Sequence, residues 1–296
     1  MRQSVRIQVP GSTSNLGSGF DTLGLALQLY QSIRVRRIAG NGVVLTAPNY
    51  ETGGAGDLVM ASEAADLFFR RAKRRRFGIE VSVTGDVPAG RGLGYSATVR
   101  VGILAALNAM AGTRLGREQL LELAVMLEGH PDNASPSVFG GFTVSGMIPN
   151  GVRCLYFAVS SRVKLVTLVP DFGVSTVKAR ALLPSSYSKA DAVHALNRAS
   201  LITAAFAGEH FESLRGLFDD QVHQPYRRKL VPRMLQVIQA GERAGAIGGF
   251  LSGSGSSVIC VALANAANVA AAMRRQMPDS AVRILEPDNS GFRVLK

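Results

Sequence analysis

The sequence predicts an α+β protein built as two domains, and three observations carry that prediction. With 296 residues, 47% of them hydrophobic and 18% charged, the chain can bury one large core or two modest ones. Residues 4–10 and 78–84 alternate apolar and polar side chains, whereas residues 97–110 and 117–128 repeat apolar residues at helical spacing. A strand-like run at 163–170 then opens a second series of strands and helices, and the Ser and Arg at 160–162 mark the seam between domains over 1–160 and 161–296.

In "SVRIQVP", residues 4–10, Val5, Ile7 and Val9 fall on one face and Arg6 and Gln8 on the other; "GIEVSVT" repeats this with Ile79, Val81 and Val83. Both read as half-buried strands. Between them "DLVMASEAADLFFRRAKRRR", residues 57–76, reads as a helix whose closing cations face the negative end of its dipole. Helices follow over 97–110 and 117–128, with strand-like runs at 138–145 and 152–159. After the strand at 163–170 come helices near 174–183, 188–207 and 226–244, then strand, turn, strand, helix and strand. No internal repeat or low-complexity linker interrupts the order.

A net charge of +12 and the run "RRAKRRR" at 70–76, six of whose seven residues are basic, raise a nucleic-acid reading. No aromatic residues are interleaved to stack bases, so the run is read as a solvated helix end and no nucleic-acid partner is expected. A basic surface would instead concentrate an anionic substrate. No segment approaches the roughly 18 consecutive apolar residues of a spanning helix, and the N-terminus lacks the apolar run of a signal peptide. A cytoplasmic location without a membrane partner is therefore expected. Cys154 and Cys260 lack metal-ligand or redox spacing and are read as buried free thiols.

The stretch "GDVPAGRGLGYSATVRVG", residues 85–102, sets Gly90, Gly92 and Gly94 between a strand and a helix. A turn without side chains lets backbone N–H groups converge on a ligand, and the helix start adds positive dipole; both suit an anion. The stretch is not a P-loop, which requires a Lys that is absent, nor a dinucleotide fingerprint, which wants an acidic residue about 20 positions on. Alone it is equally a tight turn. Three further stretches accompany it: "VPGSTSNLGSGFDTLGLAL" at 9–27, "EGHPDNASPSVFGGF" at 128–142 and "GGFLSGSGSSVICVA" at 248–262. Separately they read as an Asx and Gly turn, a solvated loop and a hairpin.

In this order the four stretches resemble the GHMP small-molecule kinases, and within them the homoserine kinases. The resemblance runs from residue 5 to about residue 262, and Glu-Gly-His-Pro-Asp-Asn with Asn-Leu-Gly-x-Gly-Phe-Asp are its most discriminating pieces. "STVKARALLP" and "QPYRRKLVP" resemble the homoserine-kinase segments that supply arginines to the substrate. The resemblance implies the GHMP kinase fold: an N-terminal domain similar to ribosomal protein S5 domain 2, a ferredoxin-like C-terminal domain and an active site between them. It also implies ATP and Mg²⁺ as cofactors, an amino-acid substrate and a place in threonine biosynthesis. A homodimer is compatible with it.

The implied nucleotide site is the loop Pro88, Gly90, Arg91, Gly92, Leu93, Gly94, Tyr95, Ser96 and Ala97, with Asp57 where an adenine-contacting Asn is common. Ser96 and Glu128 are the implied metal ligands, since Mg²⁺ usually takes one or two protein ligands and completes its shell with water and phosphate. Glu122, on the same helix, is the other carboxylate in reach. For the amino acid, Arg180 and Arg227 match the carboxylate, Asp21 with Asn15 the ammonium, and Asn133 the hydroxyl. An amide cannot accept a proton at neutral pH, so Asn133 implies direct attack by an oriented hydroxyl rather than general-base catalysis. Asp132 is read as structural, capping the loop.

Three departures stand against the family pattern: Tyr95 replaces a small hydroxyl residue, Asp57 an Asn and Ser18 a frequent Pro. The alternatives to a homoserine kinase are a kinase of the same superfamily acting on threonine, a sugar or an isoprenoid alcohol, and a non-catalytic nucleotide-binding relative. The paired arginines argue against an uncharged sugar, and retention of Ser96 with Glu128 argues against loss of catalysis.

Overall fold

The computed structural model describes residues 2–46 and 55–295. Seven strands among these form the first sheet, in the order β11 (Arg293–Leu295), β1 (Ser4–Ser14), β2 (Leu23–Ile38), β4 (Gly78–Gly85) and β3 (Val43–Thr46). A hairpin of β5 (Phe142–Ile148) and β6 (Gly151–Phe157) joins through β2. The alternation read for β1 and β4 is seen directly: Val5, Ile7, Val9, Ile79, Val81 and Val83 are all buried. The first strand runs four residues past its expected end, with a register shift between Pro10 and Ser12, because the small polar residues 11–14 keep pairing with Gly24 to Ala26. That extension carries Ser12 and Ser14 to the site.

Helix α2 (Tyr95–Ala111) packs on β1 and β2 and is itself covered by α1 (Ala55–Arg71) and α3 (Arg117–Glu128). Being covered on most sides, it is apolar nearly all round rather than striped. Two expected boundaries change. The α1 helix stops at Arg71, so Arg74 to Arg76 lie beyond it, where the Arg76 guanidinium pairs with Asp66 and donates to the Asn41 carbonyl. The strand expected at 138–145 begins only at Phe142, because residues 134–139 form a short helix, α4 (Ala134–Phe139), with Pro136 in its first turn, where a missing N–H costs nothing.

The second sheet has the order β10 (Ala281–Leu285), β7 (Lys164–Val169), β9 (Val258–Ala262) and β8 (Gly248–Leu251). With α8 (Met234–Arg243) before β8 and α9 (Ala266–Gln276) after β9, this is a ferredoxin-like arrangement, as the resemblance implies. The single helix expected over 226–244 is two, α7 (Gln224–Arg227) and α8, separated at residues 228–233. Two further helices, α5 (Thr176–Ala181) and α6 (Lys189–Ala207), fall where the spacing places them.

Both faces of β7, β9 and β8 are buried, and only the edge strand β10 is largely exposed. Val166, Leu168, Val258, Cys260 and Ala262 pack with α8 and α9, while Leu165, Ile259 and Val261 join the large cluster that fills the first domain. Phe206 of α6 stacks on Phe142 of β5 with ring centroids 4.3 Å apart, inside that same cluster. The last strand, β11, returns to the first sheet and pairs with β1, so the chain beyond residue 160 also contributes to that sheet. Cys154, expected buried, is half-buried on β6; Cys260 is buried. Among the described residues no helix is long and apolar enough to cross a membrane.

Candidate active site

Loop 86–94 connects β4 to α2 and is pressed between two other segments. Gly90, Gly92 and Gly94 have φ of 66°, 71° and 74°, the left-handed region that favours glycine. A Cβ at Gly94 would lie 2.2 Å from Ser12 Oγ, and one at Gly92 2.1 Å from the Ser252 carbonyl, so neither position admits a side chain. The Leu93 carbonyl accepts from the Ser12 N–H at 3.1 Å and the Arg91 carbonyl from the Ser257 N–H at 3.1 Å. These two carbonyls are turned into the protein, and the start of the long helix α2 is presented to a cavity of about 380 Å³. A triphosphate suits such an end.

Ser96, in the first turn of α2, donates its hydroxyl hydrogen to Glu128 Oε2 at 2.9 Å. Glu128 is the last residue of α3, and its other oxygen accepts from Arg100 Nη1 at 2.5 Å. A hydroxyl and a carboxylate on the cavity wall are hard oxygen donors of the kind Mg²⁺ takes, so the residues fit that ion. Glu122 is exposed beside the hairpin turn at Gly151 and is not in the cavity wall.

At the opposite end, Arg180 of α5 makes a two-pronged pair with Asp21, Nη1 to Oδ2 at 2.8 Å and Nη2 to Oδ1 at 2.9 Å. The hydrogen bonds that Arg180 donates to Asp21 raise its pKa against the effect of burial. Arg227 of α7 is 2% exposed. Its Nη1 donates to the Gly253 carbonyl at 2.9 Å, and its Nε is buried with no partner. Burial first, and then the neighbouring charge of Arg180, push the Arg227 guanidinium down to about 10. The two guanidinium carbons lie 5.2 and 5.1 Å from the centroid of the Phe20 ring. Asn15 anchors the Asp21 turn: its Oδ1 accepts the Asp21 N–H at 3.1 Å and its Nδ2 donates to the Gly253 carbonyl at 3.2 Å.

Asn133, at the start of α4, lies between these ends. Its Oδ1 accepts from Ser12 Oγ at 2.9 Å and its Nδ2 donates to Ser14 Oγ at 3.0 Å, which fixes the amide's orientation and leaves one lone pair on Oδ1. Beside it His130 Nδ1 bonds Asp132 Oδ1 at 2.6 Å. Burial disfavours the imidazolium, but the bond and charge of Asp132 outweigh it and raise the His130 pKa. Burial likewise opposes ionisation of Asp132, yet His130, Ser14 and the Asn133 N–H together hold its carboxyl below the usual range. Asp21, His130 and Asp132 offer ligand atoms within 4.8 Å of one another, but Arg180 occupies the first and the last two bond each other.

The cavity thus brings together Gly90, Gly92, Gly94, Tyr95, Ser96 and Glu128 with Asn15, Asp21, Asn133, Arg180 and Arg227. Five expected nucleotide residues are not in its wall. Leu93 and Ala97 are core residues, Pro88 is half-buried on the loop, and the Arg91 guanidinium is consumed by the carbonyls of Ala89, Pro170 and Asp171. Asp57 is 4% exposed and accepts from the Tyr95 hydroxyl at 2.8 Å. Two departures from the family pattern are therefore partners of each other, and the Tyr95 side chain turns into the protein. The sequence reading missed Arg100 and the wall residues Phe20, Ser14 and Ser254. For Arg100 a signal exists: it is a cation four residues after Ser96 in an otherwise apolar helix.

A glycine-rich loop at the start of a long helix, opening on a cavity that α5 and α7 close from the other side, suits a small-molecule kinase of the GHMP class. The family descriptions "GHMP kinases N terminal domain" and "GHMP kinases C terminal" match residues 58–141 and 202–279. The chain is 33% identical over 291 residues to the homoserine kinase of Aliarcobacter butzleri, covering 98% of this chain and 99% of that one. It is 34% identical over 304 residues to the homoserine kinase of Caldicellulosiruptor bescii, covering 98% and 96%. The crystal structure of homoserine kinase from Cytophaga hutchinsonii shares the fold, with a TM-score of 0.90 at 24% identity over 100% of this chain and 98% of that one. The chain belongs to the homoserine kinase family of the GHMP kinases and is an ATP-dependent kinase.

Proposed function

We propose that this protein transfers the γ-phosphoryl group of ATP to the side-chain hydroxyl of L-homoserine, giving O-phospho-L-homoserine for threonine biosynthesis. The observation that carries the choice of acceptor is Arg227. A guanidinium buried to 2% exposure, with an unpartnered Nε and a second guanidinium beside it, lacks an anion, and an α-carboxylate supplies one. The Asp21–Arg180 pair supports the rest of the head group. A zwitterion offers an ammonium to Asp21 and a carboxylate to Arg180, so binding exchanges one ion pair for two rather than stripping charges bare.

Phosphoryl transfer passes through a loose transition state, so the protein's work is to align the hydroxyl with phosphorus and neutralise charge on the phosphate oxygens. The free lone pair of Asn133 Oδ1 accepts the substrate hydroxyl's hydrogen bond and turns the oxygen's own lone pair toward the nucleotide. Ser12 and Ser14 hold that amide in place. The hydroxyl proton leaves to phosphate or solvent, because the amide cannot take it. The open N-terminus of α2 and loop 90–94 bind the triphosphate. Ser96 and Glu128 would hold Mg²⁺, which neutralises phosphate charge when bound. Exposed apolar side chains on the β5–β6 hairpin, Met147, Leu155 and Tyr156 among them, support a homodimer.

The test is a coupled ADP-release assay over homoserine, threonine, mevalonate and galactose, repeated with Arg180→Ala and Arg227→Ala. Homoserine is expected to lead by at least about a hundredfold in kcat/KM, since a site built for buried charges rejects substrates lacking them. Each arginine variant should raise the KM for homoserine about tenfold or more, a loss of roughly 1.5–3 kcal/mol, with the KM for ATP unchanged. Equal turnover of galactose, or an effect confined to ATP, would end this reading.

A further inference from the structure

Arg100 lies one turn beyond Ser96 on α2 and reaches over the phosphate end of the cavity. Its guanidinium spans two carboxylates, with Nη1 on Glu128 Oε1 at 2.5 Å and Nη2 on Glu63 Oε2 at 3.1 Å. The Arg100 side chain is 15% exposed, Glu128 5% and Glu63 48%. Both oxygens of Glu128 are therefore engaged, one by the Ser96 hydroxyl and one by a cation. A guanidinium does not lose its proton in a protein, so a divalent cation approaching Glu128 meets a fixed positive charge 2.5 Å from Oε1 and is repelled by it while Arg100 stays in place.

We propose that Arg100 is a resident counter-cation for the metal carboxylate, holding Glu128 in the nucleotide-free enzyme so that divalent-cation binding waits for the triphosphate. The inference rests on the assignment of Ser96 and Glu128 as metal ligands. Without nucleotide, one hydroxyl and one carboxylate already neutralised by Arg100 make a poor site for an ion that gives up water reluctantly. An entering triphosphate changes both terms. Its oxygens supply the remaining ligands, and they offer the guanidinium a second anion in the same cavity. Glu63, on α1 and half in solvent, keeps the other end of Arg100 tethered during the exchange. The order of events is set by charge: the carboxylate is released to the metal only when more negative charge arrives.

The test is titration with Mn²⁺, free metal being read by electron paramagnetic resonance, without nucleotide and then with a non-hydrolysable ATP analogue. Wild type should bind Mn²⁺ weakly alone and tightly with the analogue. Arg100→Gln should bind it about tenfold more tightly than wild type without nucleotide, the gap closing once the analogue is present. Glu63→Gln, a surface change, should act in the opposite direction, because Arg100 is then left with Glu128. Equal nucleotide-free affinities in wild type and Arg100→Gln, with binding still lost in Glu128→Gln, would overturn the counter-cation role. Should Arg100→Gln fail to fold, tightened or unchanged binding in Glu63→Gln overturns it instead. Wild-type Mn²⁺ binding by Glu128→Gln with the analogue would sink the metal assignment beneath it.

Discussion

Tyr95 shows how one side chain can depart from a family's loop without filling the loop's ligand space. Its ring is buried and its hydroxyl donates to Asp57, so two unusual residues become a buried pair beside the phosphate cradle rather than an obstruction within it. Burial raises the Asp57 pKa, and the Tyr95 hydrogen bond partly offsets that. Tyr95→Phe should therefore act on stability more than on catalysis. Loss of a hydrogen bond to a buried carboxylate costs about 1–3 kcal/mol and should lower Tm by a few degrees, with the KM for ATP within about threefold. The pH dependence fixes the sign. Removing the donor raises the folded pKa of Asp57 further above its unfolded value, and that costs stability wherever Asp57 is ionised in the unfolded chain. The deficit should be largest near neutral pH and shrink as the pH falls through the folded pKa. Thermal melts at neutral and mildly acid pH check this; a tenfold rise in the KM for ATP would instead place the hydroxyl on phosphate.

At the scale of elements, the loop from β4 to α2 is held open by neighbours rather than by its own bonds. The distances rank its glycines. A Cβ at Gly94 or Gly92 would meet Ser12 Oγ or the Ser252 carbonyl at 2.2 and 2.1 Å, whereas at Gly90 the nearest atom is 3.8 Å away. All three have positive φ, so any alanine costs about 1–2 kcal/mol of backbone strain. Gly92→Ala and Gly94→Ala should additionally displace β1 or the 252–255 turn, raising the KM for ATP and lowering Tm well beyond Gly90→Ala. Comparable losses in all three variants would mean that backbone conformation alone matters there. The short helix α4 makes a related point. Residues 138–145 look like one apolar strand, yet 134–139 turn as a helix, which places Asn133 at its start, bonded to Ser12 and Ser14 of the extended β1.

Across the whole molecule the two sheets share an apolar cluster. Leu165, Ile259 and Val261 of the second sheet pack with Phe142, Phe206 and the first-domain core, and β11 brings the chain end back to β1. A seam made this way is apolar packing continuous with the core of the first domain. Unfolding should therefore be a single cooperative transition, with calorimetric and van't Hoff enthalpies agreeing. Two resolved calorimetric peaks would show that the halves melt separately. The same continuity holds the arginines of α5 and α7 in fixed position over the loop of the first domain, which a cleft between loosely linked domains would not do.

Local periodicity in the chain was enough to place strands and helices: Val5, Ile7 and Val9 on one face, the helical spacing of 117–128, and the glycines that only a tight loop would use. Its motifs, read in order, also determined the family, because a kinase site is assembled from short segments whose residue types are dictated by phosphate and metal chemistry. Tertiary structure alone decided the pairings. Asp21 and Arg180 are 159 residues apart in the chain, Ser96 and Glu128 32, and Tyr95 and Asp57 38. Nothing in a local pattern says which carboxylate a given guanidinium will meet, so the partners of Arg100 are settled only when α1, α2 and α3 pack together. The double-faced burial of β7 and β9 has the same cause. Both segments read as strands, β7 broken only by Lys164 and Thr167 and β9 apolar throughout, and only the packing of α8 and α9 on one face and the first domain on the other explains why neither strand shows a polar face.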